Sequence, residues 1–424
     1  MTAKQESTFC VLPWIHSFVN IGGEYQVCCT GEEHDNYILS DVGHRLNIVD
    51  TIPVDNIMNT EFMKQFRQQM LNAKWPMFCK RCQITERDGG TSRRLLENFN
   101  YATIIPELIN NTGSDGSILF STICADYRLG NICNLSCRMC SPRASNQWNN
   151  LASKLIYQNN LFQANYRLST RNNSWTSSQS LLDDFRQKVT TLSYLHFAGG
   201  EPLISANMKL MLKICVTENV AKKITLTYNT NITCIDTEIL NLWKSFKEVK
   251  LLCSVDAYGE LNDYIREGSS WKKIDSNLKF LEKNAKLYNI SEILISTTVQ
   301  AYNILYLDNI FFYLSDFKNI IHIPNLINLH HPNYLSTQVL PPRLKDLATK
   351  KCLELKQKYA SNVNSQYRYL LDNITQVINY MNAENHSQEL LDIFFEFNNY
   401  VDRITKKNLL KTIPEFRKYY VNTK

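Results

Sequence analysis

This sequence predicts an α/β fold with a parallel sheet, and two patterns carry that expectation. From about residue 118 to about residue 335, apolar strand-like runs alternate with stretches of helical periodicity, the signature of repeated βα units. After that the alternation stops. Residues 336–424 read as helix alone, with Leu390, Leu391, Ile393, Phe394 and Phe397 spaced as one buried helix face.

In chain order, the strand-like runs fall at 118–129, 190–198, 223–229, 249–256, 292–300 and 320–330. Each of the first five is followed by a helical pattern, as at 206–217, 237–247 and 271–288. Between the first two strands lies a polar stretch, roughly 157–180, rich in Asn, Ser and Arg, which reads as a surface excursion. Ahead of the alternating region, residues 1–110 hold five cysteines, short strand-like runs and an amphipathic helix over 61–73. Residues 110–117 are turn formers and read as a linker. The expected organisation is therefore three parts: 1–110, 118–335 and a C-terminal helical region, 336–424.

Composition narrows the function classes. The chain has 424 residues, 44% of them hydrophobic, enough for two or three domains with real cores. Its net charge of +6 is spread along the chain without basic blocks, so nucleic acid binding is not indicated. No apolar run reaches the length of a membrane span, and the first residues lack a signal-peptide core. The expected location is the cytoplasm, with no membrane association. Thirteen cysteines then argue for metal ligation over a disulfide framework.

Three of them, Cys133, Cys137 and Cys140, form a C-x3-C-x2-C loop just after the first strand of the alternating region. A closed zinc site or a fully ligated cluster takes four protein ligands. Three thiolates around a four-iron cubane leave one iron open to something that is not protein. This run resembles the signature of the radical S-adenosylmethionine (SAM) superfamily, in which the open iron takes the amino and carboxylate groups of SAM. The resemblance implies a partial (β/α)6 TIM-type barrel whose reactive end is the C-terminal edge of the strands. It differs in one place: Met139 stands where an aromatic residue often packs on the adenine, a role a polarizable thioether can fill.

Further residues extend the likeness. Gly199-Gly200-Glu201-Pro202 follows an apolar strand; glycines there admit close backbone approach, and a carboxylate suits a protonated amine. The run is similar to the family motif for the SAM amino group. Ser254 and Asp256 end a buried strand that resembles the ribose-binding strand. Arg266, with Gly268 beyond it, resembles the arginine that pairs with the SAM carboxylate. Asn229, Asn231 and Gln300 lie at strand ends on the same expected mouth, where a turn-forming role is as well supported.

The N-terminal cysteines form a second set. Cys10 precedes a strand-like run over Trp14 to Val19, Gly22 and Gly23 make a hairpin turn, and the return run ends at Cys28 and Cys29. Cys79 and Cys82 supply a C-x2-C pair after the 61–73 helix. Cys10, Cys28, Cys79 and Cys82 would fully ligate a second [4Fe-4S] cluster, and a four-cysteine zinc site fits the same residues. Spacing favours Cys28 over Cys29. The arrangement resembles the twitch module, a shortened SPASM domain, although such modules usually follow the barrel. The loop 86–94 reads as a cap, a substrate contact or a solvated turn. Cys124, Cys215, Cys234, Cys253 and Cys352 read as small buried residues.

The resemblance implies a radical SAM enzyme. It would cleave SAM reductively to methionine and a 5′-deoxyadenosyl radical that abstracts a hydrogen atom from substrate. The favoured substrate is a ribosomally made peptide, modified by crosslinking, epimerisation or backbone excision. The alternatives are a small-molecule dehydrogenase and a non-catalytic electron-transfer protein. Expected partners are a one-electron reductant such as flavodoxin or ferredoxin and a small leader-binding protein.

Overall fold

The computed structural model describes residues 7–31, 36–87, 90–157, 162, 166, 173–317, 321–360, 365–383 and 386–420. The fold is α/β, with a mostly parallel sheet of eight strands, consistent with a partial TIM-type barrel followed by helices. The chain divides into two compact units, one comprising residues 1–130, 170–227 and 245–247, the other 131–169, 228–244 and 248–424.

The first unit carries strands in the order β2-β1-β3-β4-β5. A helical turn, Leu12–Ile15, precedes β1 (His16–Val19), and β2 (Tyr25–Gln26) returns antiparallel to it. The expected strand over Trp14 to Val19 is thus shortened. Pro13 sits at the first turn of that helical segment, where its missing N–H costs nothing. The hairpin itself forms, but the return strand stops at Gln26, short of Cys28 and Cys29. Helices α1 (Glu61–Leu71), α2 (Lys80–Arg87) and α3 (Arg93–Asn100) follow.

β3 (Cys124–Arg128) pairs in parallel with β1, His16 opposite Cys124 and Phe18 opposite Asp126. The N-terminal hairpin is therefore part of the sheet. That is why the compact units divide the chain differently from the three sequence parts: sequence spacing gives no sign of which strand β1 will neighbour. Helix α4 (Gln179–Val189) leads to β4 (Tyr194–Ala198), which pairs with β3, Asp126 opposite His196. Alternation along β3 sorts its side chains. The Tyr127 ring packs on Phe185 of α4 and its hydroxyl donates to Asp184, so Cys124, Asp126 and Arg128 take the opposite face. Helix α5 (Ala206–Thr217) then leads to β5 (Thr225–Thr230), within which the chain passes to the second unit.

In the second unit β6 (Glu248–Ser254), β7 (Ile290–Val299) and β8 (Ile321–Asn328) lie side by side and parallel. Between β6 and β7 come α6 (Glu260–Ile265) and α7 (Trp271–Asn284). Three long helices follow β8: α8 (Pro342–Ala360), α9 (Ser365–Ala383) and α10 (Gln388–Thr405). On α10 Leu391, Ile393, Phe394 and Phe397 are buried as expected; Leu390 is half-buried and Phe395 is buried in addition. Much of 157–180 lies outside the described residues. Within it Phe162, Tyr166 and Trp175 are buried, which corrects the reading of that stretch as surface.

The 110–117 segment is tied down by Arg67, which is fully buried on α1. Arg67 Nε donates to Gly116 O at 2.8 Å, Nη1 to Pro13 O at 3.0 Å and Nη2 to Met58 O at 2.6 Å. Arg67→Ala would leave three buried carbonyls without donors. We expect a loss on the order of 3–5 kcal/mol, read as a lower midpoint in denaturant unfolding; an unchanged midpoint would contradict this role.

Candidate metal centre and SAM-binding residues

The C-x3-C-x2-C loop belongs to the second unit and is laced there by backbone bonds. Ser136 N donates to Glu267 O at 2.9 Å and Arg138 N to Ile265 O at 2.8 Å, so the loop runs along the segment that ends α6. Trp148 Nε1 donates to Cys137 O at 2.9 Å, and Asn146 Oδ1 accepts from Cys133 N at 3.1 Å. Arg138 anchors the loop from within. It is fully buried, donates through Nη2 to Asp402 Oδ1 at 2.5 Å and through Nη1 to Asn398 Oδ1 at 2.9 Å, and its guanidinium lies 3.8 Å from the Tyr264 ring centroid. Asp402 and Asn398 are on α10, more than 250 residues away in sequence. Sequence reading found the buried face of α10 but not these two polar residues on it.

The three thiols converge. Cys137 donates to the Cys140 sulfur; this contact and burial push the Cys137 thiol well above its ordinary value, and the same contact draws Cys140 down against its burial. Cys133 lies within electrostatic reach of Cys140. Arg266 Nη1 approaches Cys137 Sγ at 3.9 Å, and its charge favours both thiolates. Asn231 Nδ2 stands 4.0 Å from Cys133 Sγ and donates to Asn134 Oδ1 at 2.9 Å. Three neighbouring cysteines, Cys137 buried and Cys133 and Cys140 half-buried, with a guanidinium beside them, suit an anionic iron–sulfur group.

Other expected SAM contacts divide. Arg266 Nε and Asp256 Oδ2 are 2.8 Å apart, both buried, yet neither atom has an aligned hydrogen-bond partner. Burial pushes the Asp256 carboxyl up against the pull of Arg266. Gln300 is also buried; its Nε2 donates to Thr298 O at 3.2 Å, but Oε1 has no partner. The unpartnered Oε1 of Gln300 is what a polar ligand would satisfy. Ser254 and Met139 are half-buried. Asn229 is exposed on β5, unlike Asn231. Cys234, expected to be buried, is half-buried, with Asn134 Nδ2 3.8 Å from its sulfur.

In the first unit, Gly199 and Gly200 both have positive φ, +82° and +49°. A Cβ on Gly199 would fall 2.9 Å from the backbone at Arg128 and Gly130, so the turn after β4 requires glycine. Glu201 is buried and accepts from Leu203 N at 3.1 Å through Oε1.

The first unit also gathers the four N-terminal cysteines. Cys10, Cys28, Cys79 and Cys82 line one cavity, with Leu12, Thr30, Gly31, Phe78, Arg93 and Arg94, whose empty volume, mouth included, is about 350 Å³. Burial pushes the Cys10 and Cys79 thiols up, and the neighbouring sulfurs add to it. Cys29 is outside this lining; its sulfur accepts from Arg93 Nη1. Among the described residues, no group of three or more His, Cys, Asp or Glu side chains is set about a single metal ion. The 86–94 loop, of which 88 and 89 lie outside the described residues, is no free turn: Arg94 pairs with Glu86 at 2.5 Å and donates to Phe9 O at 2.7 Å. Nothing in the spacing of these arginines marks them as cavity residues. The basic character of the run was the available signal.

Behind the cavity, the face of β3 away from α4 carries a charged set that sequence reading missed. Burial alone would raise the Asp126 carboxyl, but Arg128, His196 and Arg93 hold it below its usual value. Burial lowers His16 and His196 to about 4, so both are neutral imidazoles at pH 7. His196 Nδ1 is 2.7 Å from Thr227 Oγ1, which donates to Tyr194 OH at 3.0 Å.

The radical SAM superfamily profile matches residues 127–294, the stretch that holds the cysteine loop, the glycine turn and Arg266. This chain carries a radical SAM domain. No curated protein matches it significantly. Among solved structures it is similar to anSMEcpe with bound AdoMet and a Cp18Cys peptide, at 16% identity and TM-score 0.36, over 59% of this chain and 61% of that one. It is also similar to Streptococcus suis SuiB bound to S-adenosylmethionine, at 14% identity and TM-score 0.35, over 76% of this chain and 67% of that one. The match thus spans about three fifths of the anSMEcpe chain, and both TM-scores are too low to establish a common fold. No described helix is long and apolar enough to cross a membrane.

Asp402→Ala would leave Arg138 buried and uncompensated, a loss of about 3–5 kcal/mol. The expected result is lower iron content after reconstitution and a lower melting temperature. Full iron content and an unchanged melting temperature would show that the pair does not hold the loop.

Proposed function

We propose that this protein is a radical SAM enzyme with two four-iron clusters. Its first cluster is held by Cys133, Cys137 and Cys140, and its auxiliary cluster by Cys10, Cys28, Cys79 and Cys82. The observation that carries the reading is the convergence of three thiols on one loop inside a radical SAM domain. When bound, the cluster and SAM supply a 5′-deoxyadenosyl radical. The chain's own residues then have definite tasks. Arg266 balances the thiolate charge beside Cys137 through its Nη1 side, with Asp256 orienting it at Nε. Asp256 and Gln300 offer acceptors to ligand hydroxyl or N–H groups, and Glu201 offers a carboxylate to an amine. Asn231 steadies Cys133. Burial of the loop beneath Trp148 and α10 keeps water from the cluster's protein side.

For the auxiliary site, the four cysteines that line one cavity suit a fully ligated four-iron cluster, and the adjoining radical SAM domain favours that over a four-cysteine zinc site. The proposed substrate is a peptide, altered by crosslinking, epimerisation or backbone excision. Supporting it, α3 and its surroundings expose apolar side chains: Leu96 at 52%, Phe99 at 81% and Met77 at 72%, a surface suited to a polypeptide partner. A one-electron reductant is required, and a leader-binding protein and a cytoplasmic location complete the proposal.

Anaerobic reconstitution is expected to give about eight irons and eight sulfides per chain. Replacing Cys133, Cys137 and Cys140 together with Ala should leave about half and abolish 5′-deoxyadenosine formation. Cys28→Ser should lose the auxiliary four while Cys29→Ser keeps all eight. Four irons with one zinc would refute the auxiliary cluster alone; 5′-deoxyadenosine from the triple variant would refute the first assignment.

A further inference from the structure

The auxiliary cavity holds two arginines, and their surroundings differ. Arg94 is buried and doubly bonded to one carboxylate, Nη2 to Glu86 Oε2 at 2.5 Å and Nε to Glu86 Oε1 at 2.9 Å, with Nη1 on Phe9 O. Its charge is largely neutralised in place. Arg93 lines the same cavity but makes a single contact with a carboxylate, Nε to Glu97 Oε1 at 3.3 Å, and turns Nη1 onto Cys29. Asp126, the next carboxylate within reach, is shared with Arg128, whose Nε lies 3.4 Å from it. Arg93 also acts electrostatically on Cys28.

We propose that Arg93 sets the redox potential of the auxiliary cluster, acting as the guanidinium that favours its reduced form. The inference rests on the two-cluster reading above. A cluster with four thiolate ligands is anionic, and an added electron makes it more so; a partly desolvated cation on the cavity wall stabilises that extra charge far more than water does. Two backbone donors act in the same direction, Leu12 N–H on Cys10 and Arg94 N–H on Cys82. Arg93 Nη1 is held on the Cys29 sulfur, which gives a function to the cysteine beside Cys28 that does not line the cavity. Arg93 is on this view a positioning residue: it ligates nothing, and its effect is on the energy of the electron.

The test is a redox titration of the reconstituted full-length protein with dithionite, followed by electron paramagnetic resonance of the auxiliary signal. It is done in wild type, Arg93→Gln and Arg93→Lys, with iron counted in each. The expected result is eight irons in all three, a midpoint shifted to lower potential in Arg93→Gln, and recovery of most of the shift in Arg93→Lys. An Arg93→Gln midpoint equal to wild type with eight irons overturns the proposal and leaves the two-cluster reading standing. Loss of the auxiliary irons in Arg93→Gln but not in Arg93→Lys, with the Lys midpoint at the wild-type value, supports a charge requirement. Loss in both variants means Arg93 only holds the cavity together, and overturns it. Four irons in wild type overturns the two-cluster reading and this inference with it.

Discussion

The burial of Arg138 is the constraint on which the unit that carries the cysteine loop depends. The residue sits between Cys137 and Met139, so wherever its guanidinium goes the cysteine loop must follow. A fully buried arginine is tolerable only when paired and hydrogen-bonded. Asp402, Asn398, the Tyr264 ring and the Tyr264 carbonyl meet that need together. Those partners are themselves fixed: Tyr302 OH donates to Asn398 Oδ1 at 2.8 Å, and Leu409 N donates to Asp402 Oδ2 at 2.6 Å. The C-terminal helix therefore does more than cover apolar surface. It supplies the counter-charge that anchors the Cys133/Cys137/Cys140 loop through Arg138.

Charge economy recurs elsewhere in the molecule. Arg67 is buried against carbonyls, Arg94 against Glu86 and Arg266 against Asp256. The first two are satisfied and hold structure. In the Arg266–Asp256 pair neither Nε nor Oδ2 is aligned with a partner. The two still pair at 2.8 Å, and a buried ion pair with imperfect alignment is costly, which fits residues kept beside the cysteine loop for more than stability. The same contrast separates Arg94 from Arg93 at the auxiliary cavity.

Local pattern made much of this legible in the sequence. The cysteine spacing, the glycine turn after an apolar strand and the βα alternation each depend on neighbouring residues, and each appears in the structure where the pattern put it. Cys10, Cys28, Cys79 and Cys82 line one cavity, with Cys29 outside it; the hairpin and the C-x2-C turn are short-range features, whereas the meeting of the two pairs is long-range. What was hidden depends on long-range register. No spacing rule links Arg138 to Asp402, places β1 beside β3, or predicts that Asp126, His16 and His196 share a face. Arg266 and Asp256 were read as separate ligand contacts; only the fold reveals that they are also a pair. The polar composition around residue 170 suggested surface, yet Trp175 is buried, its indole N–H donating to Ile21 O at 3.0 Å.

The central claim is that the Cys133/Cys137/Cys140 loop holds a cluster with one iron open to SAM. Electron–nuclear double resonance of the reduced protein tests it most directly, using SAM labelled with nitrogen-15 in the amino group and oxygen-17 in the carboxylate. Direct ligation predicts hyperfine coupling of both labels to the cluster spin, present in wild type and absent when the three cysteines are replaced. A reduced cluster whose spectrum is unchanged by SAM, with neither label coupled, would contradict the account.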